Sequence, residues 1–407
     1  MAFFNKTINV ILLFVLSSCS GTTTINESTS RSSSSLSKEL SLKIAKPIGL
    51  QEAKATQILK EDLEFISSFS NGAINKVREK QNNKTFAFSP LSYYLNLSSL
   101  YSLDSKQDLN SINKLGADSQ EKLTNLVSDI SKRIYDKNTS SINPTLIASA
   151  NLVADYASAF DQQGIEKITN LLYASYINNI KTIDDDLDTF IKEISNGNIN
   201  KYPFIKPSIG KTSFISNLYV DIPYPLVFDN RTTSQPFNNS GKYPFYKGNQ
   251  YATEIVQVDD YIAFRMGHLR FVKPLSGSLS EFFKTHTFDE CFTNNDSQEY
   301  KIVLTIPKLD INSSLELLDV AKETGFLEDD LVFKTNYVPS TIDSLIQDNF
   351  ISFTYCGVKA YSSTIMAVIP QSAPIMNINL DSSFAFEILG RDDIVLYYGE
   401  VVSLDAQ

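Results

Sequence analysis

Hydrophobic residues recur at helical spacing near the start of the folded part of the chain. Between residues 53 and 80 they fall at Ile58, Leu63, Ile66, Phe69, Ile74 and Val77. This period puts them on one face, which predicts one or two amphipathic helices. A short apolar run at 86–88 predicts a buried strand, and 91–103 predicts a buried helix. Ser89 is in place to cap that helix, with Pro90 at its first position.

Strand patterns dominate the rest of the chain. Residues 146–154 and 213–221 predict two strands of a central sheet, and helices are predicted at 161–176 and 187–194. Prolines, aromatics and short alternating runs over 222–275 are typical of small antiparallel strands.

One more helix is predicted near residue 315. Ser313 or Ser314 is in position to open it, and Gly325 to cap its C-terminus. Its apolar residues are Leu315, Leu317, Leu318 and Val320. Helices therefore dominate the first third and strands the last two-thirds, an α+β pattern.

The N-terminus has the pattern of an export signal. Lys6 precedes the short apolar stretch 8–16, which ends in Leu-Ser-Ser-Cys19 and resembles the lipobox of bacterial lipoproteins. We expect residues 1–18 to be a signal peptide and Cys19 to be lipidated, which anchors the protein at the outer membrane or cell surface. The alternative is an ordinary secretory signal, which would release it into the extracellular space.

A flexible segment follows the cysteine. From Ser20 to Ser37, twelve of eighteen residues are Ser or Thr, so this stretch has little apolar surface to bury. We expect residues 19–49 to be a tether and residues 50–407 to be one folded domain.

Composition narrows the possible partners. The chain has 407 residues, 42% hydrophobic and 20% charged, with a net charge of −10. An acidic chain without a basic stripe is a poor candidate for binding nucleic acid or an anionic membrane surface. We expect a monomer that contacts membrane only through the lipid anchor.

Few residues offer catalytic or metal chemistry. There is no GxSxG motif, and neither His268 nor His286 lies in a catalytic signature, so we expect no enzyme activity and no cofactor. Asp184, Asp185 and Asp186 are expected in a solvated loop rather than at a metal. Cys291 and Cys356 are either two free thiols or, in an exported protein, a disulfide.

The stretch after Gly357 is a loop with the pattern of a strand. Small residues occupy every second position, at Val358, Ala360, Ser362 and Thr364, and Lys359, Tyr361 and Ser363 lie between them. Alternate side chains of a strand point to opposite faces. If this loop became a strand, one face would fit over a packed core and the other would face water.

Separated segments resemble the serpins, the serine protease inhibitor superfamily, in the order that the family has them. They are Phe86-Ala87-Phe88-Ser89-Pro90-Leu91-Ser92, Phe214-Ile215-Ser216-Asn217, Leu304-Thr305-Ile306-Pro307-Lys308-Leu309 with Ser313 to Leu318, and Val395 to Val402. The interval from Gly357 to Phe384 also fits. The resemblance implies a serpin fold, with a large, mostly antiparallel central sheet, smaller sheets, N-terminal helices and an exposed reactive loop at about 357–381.

The resemblance also implies a function. The family register puts the scissile bond at Gln371-Ser372 and the loop hinge at residues 357–364. A target protease would form a covalent acyl complex there, and the cut loop would then insert into the main sheet. Ser89, Ser92, Asn217 and Gln347 resemble the polar cluster that controls opening of that sheet.

The chain departs from the family at the hinge. Tyr355 and Cys356 stand where acidic residues are usual, the alanine run is replaced, and Gln347-Asp348 stands where a His-Lys pair is expected. The chain has no tryptophan, and Tyr224 is the nearest aromatic to the family's position near the top of the sheet. The alternative is therefore a non-inhibitory serpin-fold binding or carrier protein.

Overall fold

The computed structural model describes most of the chain from residue 58 onward. The described residues are 58–104, 109–134, 136–138, 145–155, 160–172, 174–178, 183–195, 197, 199–203, 212–226, 228–293, 300–327, 332–334, 339–341, 345–358 and 375–404. The predicted signal peptide, Cys19 and the whole predicted tether lie outside them.

Helices are concentrated in the first half. The α-helices are α1 (Lys60–Gln81), α2 (Pro90–Leu103), α3 (Leu109–Lys114), α4 (Gln120–Ile134), α5 (Gln162–Glu166), α6 (Ile183–Ile194), α7 (Leu279–Phe282) and α8 (Leu318–Glu323). A π-helical turn covers Lys167–Leu171, and 3-10 turns cover Asp289–Phe292 and Arg391–Asp393.

The strands lie mostly in the second half of the chain, with the first four in the first half. They are β1 (Phe86–Phe88), β2 (Asp136–Asn138), β3 (Thr145–Asp155), β4 (Ala174–Ile177), β5 (Thr212–Pro223), β6 (Thr233–Phe237), β7 (Ser240–Ala252), β8 (Glu254–Gln257), β9 (Tyr261–Met266), β10 (Leu269–Pro274), β11 (Tyr300–Pro307), β12 (Leu309–Glu316), β13 (Val332–Lys334), β14 (Pro339–Thr341), β15 (Ile346–Phe353), β16 (Gly357–Val358), β17 (Ile375–Asn379), β18 (Phe384–Leu389) and β19 (Val395–Val401).

The strands form three larger sheets and one hairpin. The main sheet has the order β12-β15-β16-β5-β3-β2, with β4 also paired to β3. A six-stranded sheet has the order β1-β19-β18-β10-β9-β8, and a four-stranded sheet the order β17-β11-β7-β6. Strands β13 and β14 pair with each other. The predicted α+β class, with a mostly antiparallel central sheet, is confirmed.

Helix α2 joins the two largest sheets. The Ser89 side chain accepts a hydrogen bond from Ser92 N, and Pro90 opens the helix, so the predicted cap is confirmed. Twelve of the fourteen α2 residues are buried, because the helix contacts both β5 and β19. One continuous apolar core therefore extends from the main sheet to the six-stranded sheet.

The predicted start of the helix near residue 315, at Ser313 or Ser314, is wrong. Those serines lie in β12, where Leu309, Ile311 and Leu315 are buried and the intervening residues are more exposed. Pairing with β15 sets this period of two, and helix α8 begins only at Leu318. The Ser313 hydroxyl instead hydrogen-bonds the backbone of Ala87 in β1, accepting from N (3.1 Å) and donating to O (2.7 Å).

Two other predicted helices have different bounds. The helix predicted at 161–176 ends in the π-helical turn, and Ala174–Ile177 forms buried strand β4, parallel to β3. Helix α6 starts at Ile183, four residues before the prediction, so Asp184, Asp185 and Asp186 lie in its first turn and not in a loop. Carboxylates there are favoured by the positive end of the helix dipole.

Candidate functional site

The chain turns back on itself where β15 ends and enters a new strand position. After Phe353 the backbone reverses, and Val358 of β16 pairs antiparallel with Phe353 on one side and Ile222 of β5 on the other. Gly357 pairs with Pro223. The described parts of β5 and β15 share no ladder of their own, so β16 is the strand that joins them.

Gly357 is required by the close approach of β5. Its φ is +155°, and a Cβ atom on it would lie 2.3 Å from Ile222 O and 2.7 Å from Pro223 Cα. Both are backbone atoms, so the clash is not relieved by moving a side chain. A side chain at this position would push β16 away from β5.

We expect Gly357→Ala to displace the start of β16 and to destabilise the protein by about 1–3 kcal/mol, the usual range for overpacking. Amide exchange at Val358 should accelerate, and thermal unfolding should begin earlier. Gly72→Ala in helix α1 is the matched control, because no atom lies within 4 Å of the added Cβ. It should be neutral or slightly stabilising. Unchanged Val358 protection in Gly357→Ala would contradict this role.

An aromatic layer lies beside the turn. Tyr224, which follows β5, is 1% exposed, and its ring packs edge-on against Phe228 at 5.1 Å. Burial raises the pKa of the Tyr224 hydroxyl well above its usual value. This hydroxyl is buried without a hydrogen-bond partner among the described residues. Cys356 is also buried, and it forms no disulfide with Cys291.

Three of the four predicted polar-cluster residues meet at the start of α2. Ser89 Oγ donates to Leu396 O at 2.7 Å and lies 3.0 Å from Ser92 Oγ. The Gln347 amide spans the Ser89 backbone: Oε1 accepts from Ser89 N at 2.7 Å and Nε2 donates to Ser89 O at 2.9 Å. Gln347 thereby ties β15 to the segment between β1 and α2.

Asn217 is the fourth predicted member, and it lies in β5. It is opposite Ala150 of β3 and is 7% exposed. Its Nδ2 atom is buried and has no hydrogen-bond partner within the described part of the chain.

The chain leaves β16 in the main sheet and returns in a different sheet. Strand β17 pairs parallel with β11, from Lys301↔Ile375 to Thr305↔Asn379. Its C-terminal end is held by Lys273, whose Nζ donates to Asn379 O at 2.6 Å. Sixteen residues, 359–374, therefore connect two sheets. Gln371, Ser372 and the hinge residues Lys359 to Thr364 lie in this connection, outside the described residues.

No group of three or more His, Cys, Asp and Glu side chains suited to a metal is found among the described residues. None of the described helices is both long and apolar enough to cross a membrane.

Solved structures match this arrangement, whereas no protein-family model and no curated protein does. The native state of tengpin, a thermophilic serpin, matches with a TM-score of 0.67 at 18% identity, over 86% of this chain and 96% of that chain. Serpin48 of the insect Tenebrio molitor matches with a TM-score of 0.66 at 16% identity, over 86% of this chain and 100% of that chain. This chain has the serpin fold.

Human thyroxine-binding globulin is similar in structure as well. Its TM-score is 0.67 at 14% identity, over 85% of this chain and 100% of that chain. At these identities the likeness concerns the serpin fold alone.

The segments that resemble serpins in sequence meet in space. Strand β1 pairs with β19, from Phe86↔Glu400 to Phe88↔Tyr398. The Ser89 hydroxyl reaches Leu396 of the same C-terminal strand. Motifs about 300 residues apart in sequence thus form one layer of the serpin fold beside α2.

The sequence did not point to Thr354 or Lys273. Thr354 closes the turn before β16, and Lys273 holds the C-terminal end of β17. A threonine three residues before a glycine is a recognisable turn signal. Nothing in the local sequence of Lys273 indicates its distant partner.

Proposed function

We propose that the protein inhibits serine proteases, or cysteine proteases, by a suicide mechanism. The observation that carries this proposal is the path of the chain through β16. The segment before the predicted scissile bond starts inside a strand position of the main sheet, and the segment after that bond is anchored in another sheet. Cutting between them frees the first segment to extend β16.

The first step is ordinary proteolytic chemistry. The nucleophilic oxygen or sulfur of the protease attacks the carbonyl carbon of Gln371. The bond to Ser372 breaks, and the Ser372 amine leaves with a proton. The protease is then joined to Gln371 as an acyl ester or thioester, which water would normally hydrolyse.

The second step is strand insertion. Val358 to Gln371 comprises fourteen residues, which span about 45 Å as a strand. Their entry between β5 and β15 would carry the attached protease across the domain and distort its active site before hydrolysis. Strand addition supplies main-chain hydrogen bonds along the whole segment.

The proposed site of action is the cell envelope. We propose that residues 1–18 direct export, that Cys19 carries the lipid anchor, and that the Ser/Thr-rich stretch holds the domain away from the membrane. Mass spectrometry of the mature N-terminus tests this: a lipid-modified Cys19 supports it, and an unmodified secreted N-terminus contradicts it.

The inhibitory proposal is tested with a panel of serine and cysteine proteases. We expect an adduct that survives denaturing gels and a released fragment that begins at Ser372. The same protease with its nucleophile already blocked is the control and should give no adduct. Cleavage of the loop by every protease without an adduct would contradict the proposal.

A second candidate is a non-inhibitory carrier. Cys356 before the hinge, Tyr361 within it and the missing alanine run favour it. The structural similarity to thyroxine-binding globulin, which has been solved in complex with thyroxine, favours it as well. A carrier should form no protease adduct and should show a raised thermal midpoint with an aromatic ligand such as thyroxine. An unchanged midpoint would argue against this ligand class.

A further inference from the structure

One hydroxyl group organises the turn between β15 and β16. Thr354 Oγ1 donates to Gly357 O at 2.8 Å and accepts from Cys356 N at 3.2 Å and from Gly357 N at 3.3 Å. Thr354 N also donates to Gly357 O, at 2.9 Å. The turn is therefore closed by its side chain as well as by its backbone.

The same turn is fixed to the end of β5. Cys356 O accepts from Tyr224 N at 3.1 Å, and Tyr355 O accepts from Phe228 N at 2.9 Å. Both carbonyl groups of the turn thus bind the segment that follows β5. The turn cannot leave the sheet without breaking contacts to both neighbouring strands.

Because of these contacts, the first residues of β16 already occupy a strand position between β5 and β15. Cys356, Gly357 and Val358 are all buried, and Val358 is 3% exposed. Starting a strand between two others is the unfavourable part of insertion, because the chain is ordered before most hydrogen bonds form. Here that ordering is done by the turn.

We propose that Thr354 is a positioning residue, which holds the first two residues of the inserting strand in the main sheet before the loop is cut. This role rests on the proposed inhibitory function. The Thr354 hydroxyl is not a catalytic group, since its hydrogen bonds to described residues all lie within the turn. It sets the point from which insertion proceeds and so favours insertion over hydrolysis of the acyl-enzyme.

The test uses Thr354→Val in the full chain, because valine keeps the shape of threonine and removes only the hydroxyl. Amide exchange of the peptide that covers 354–358 should accelerate roughly tenfold, the effect of losing one or two hydrogen bonds. Thr354→Ser keeps the hydroxyl and should restore protection. Thr324→Val, which removes a hydroxyl bonded to Val320 O at the end of α8, is the control for general loosening. It should leave 354–358 unchanged.

A second readout separates positioning from mere stability. The loop is nicked at 359–374 with a non-specific protease, and the rise in the thermal midpoint is followed in time. We expect wild-type protein and Thr354→Ser to gain stability quickly, and Thr354→Val several-fold more slowly. With a protease that forms an adduct, Thr354→Val should yield a larger cleaved, uncomplexed fraction.

The outcomes distinguish the two proposals. Two results would overturn the role of Thr354 and leave the inhibitory function standing. One is an amide exchange rate at 354–358 in Thr354→Val that equals the wild-type rate. The other is faster exchange combined with a wild-type rate of insertion and a wild-type ratio of adduct to cleaved chain. A nicked wild-type protein that gains no stability overturns loop insertion itself, and the positioning role with it. Slower insertion in Thr354→Val, restored by Thr354→Ser, supports both.

Discussion

Replacing Ala360 by arginine is expected to convert the protein from an inhibitor into a substrate. Val358 of β16 is buried, and Ala360 shares its face if the strand continues with a period of two. Insertion would then bury an unpaired guanidinium group, which costs several kcal/mol. Hydrolysis of the acyl-enzyme should therefore outrun insertion. On denaturing gels the adduct should disappear, and the cleaved chain should accumulate at an unchanged rate of first cleavage.

Tyr361→Arg is the matched control for this substitution. It adds the same charge one position later, on the face that would point to water in the inserted strand. Adduct formation should remain close to wild type. Equal loss of adduct in both variants would contradict alternate-face insertion, and persistence of the adduct in Ala360→Arg would contradict insertion at this position.

Removing Arg270 is expected to have the largest effect on stability. Arg270 in β10 lies opposite Glu387 in β18, and its Nε donates to Glu387 Oε2 at 3.0 Å. Its Nη2 also lies 2.6 Å from Asp289 Oδ1. Glu387 is 1% exposed, so Arg270→Met leaves a buried carboxylate without its partner. Such a loss costs about 3–5 kcal/mol, which urea unfolding near pH 8 should detect.

Arg265→Met is the control for Arg270→Met. Arg265 pairs with Asp393, whose side chain is 60% exposed, and with Glu254, whose side chain is 23% exposed. Neither carboxylate is fully buried as Glu387 is, and exposed pairs contribute only about 0–1 kcal/mol, so the urea midpoint should fall much less than in Arg270→Met. A similar loss in both variants would show that burial of Glu387 is not the cause.

The penalty for Arg270→Met should depend on pH. Burial raises the pKa of Glu387 to about 7 in spite of Arg270, whereas an unfolded glutamate has a pKa of about 4.3. The stabilising contribution of the protonated group is full below the unfolded value and is lost as pH rises through 7. Removing Arg270 raises this pKa further, and Asp289 and Asp393 act in the same direction. The penalty should therefore shrink from pH 8 to pH 6.

Local patterns predicted the elements whose signals are local. The Ser89 cap with Pro90, the apolar run at Phe86–Phe88 and the strand predicted at 213–221 depend on residues close in sequence. The helix predicted at Ser313 failed because β15, more than thirty residues later, supplies the pairing that makes this segment a strand. Local helix or strand propensity carries no information about such a distant pairing strand.

The candidate site was only partly predictable. Gly357 stood out in the sequence, as did Ser89, Ser92 and Gln347, because each belongs to a recognisable segment. The two-point bond between Gln347 and the Ser89 backbone is a tertiary contact across 258 residues. The position of Asn217 in the main sheet is set by the pairing of β5 with β3.

The sequence by itself determined the α+β class, the capped α2 helix and the alternation of small residues after Gly357, because periodicity and capping act within a few residues. The tertiary structure alone decided that β16 lies between β5 and β15, that Gly357 must lack a side chain there, and that Thr354 closes the turn. Those features depend on backbone atoms brought together from distant segments, and the chain encodes such approaches only through the packing of the whole core.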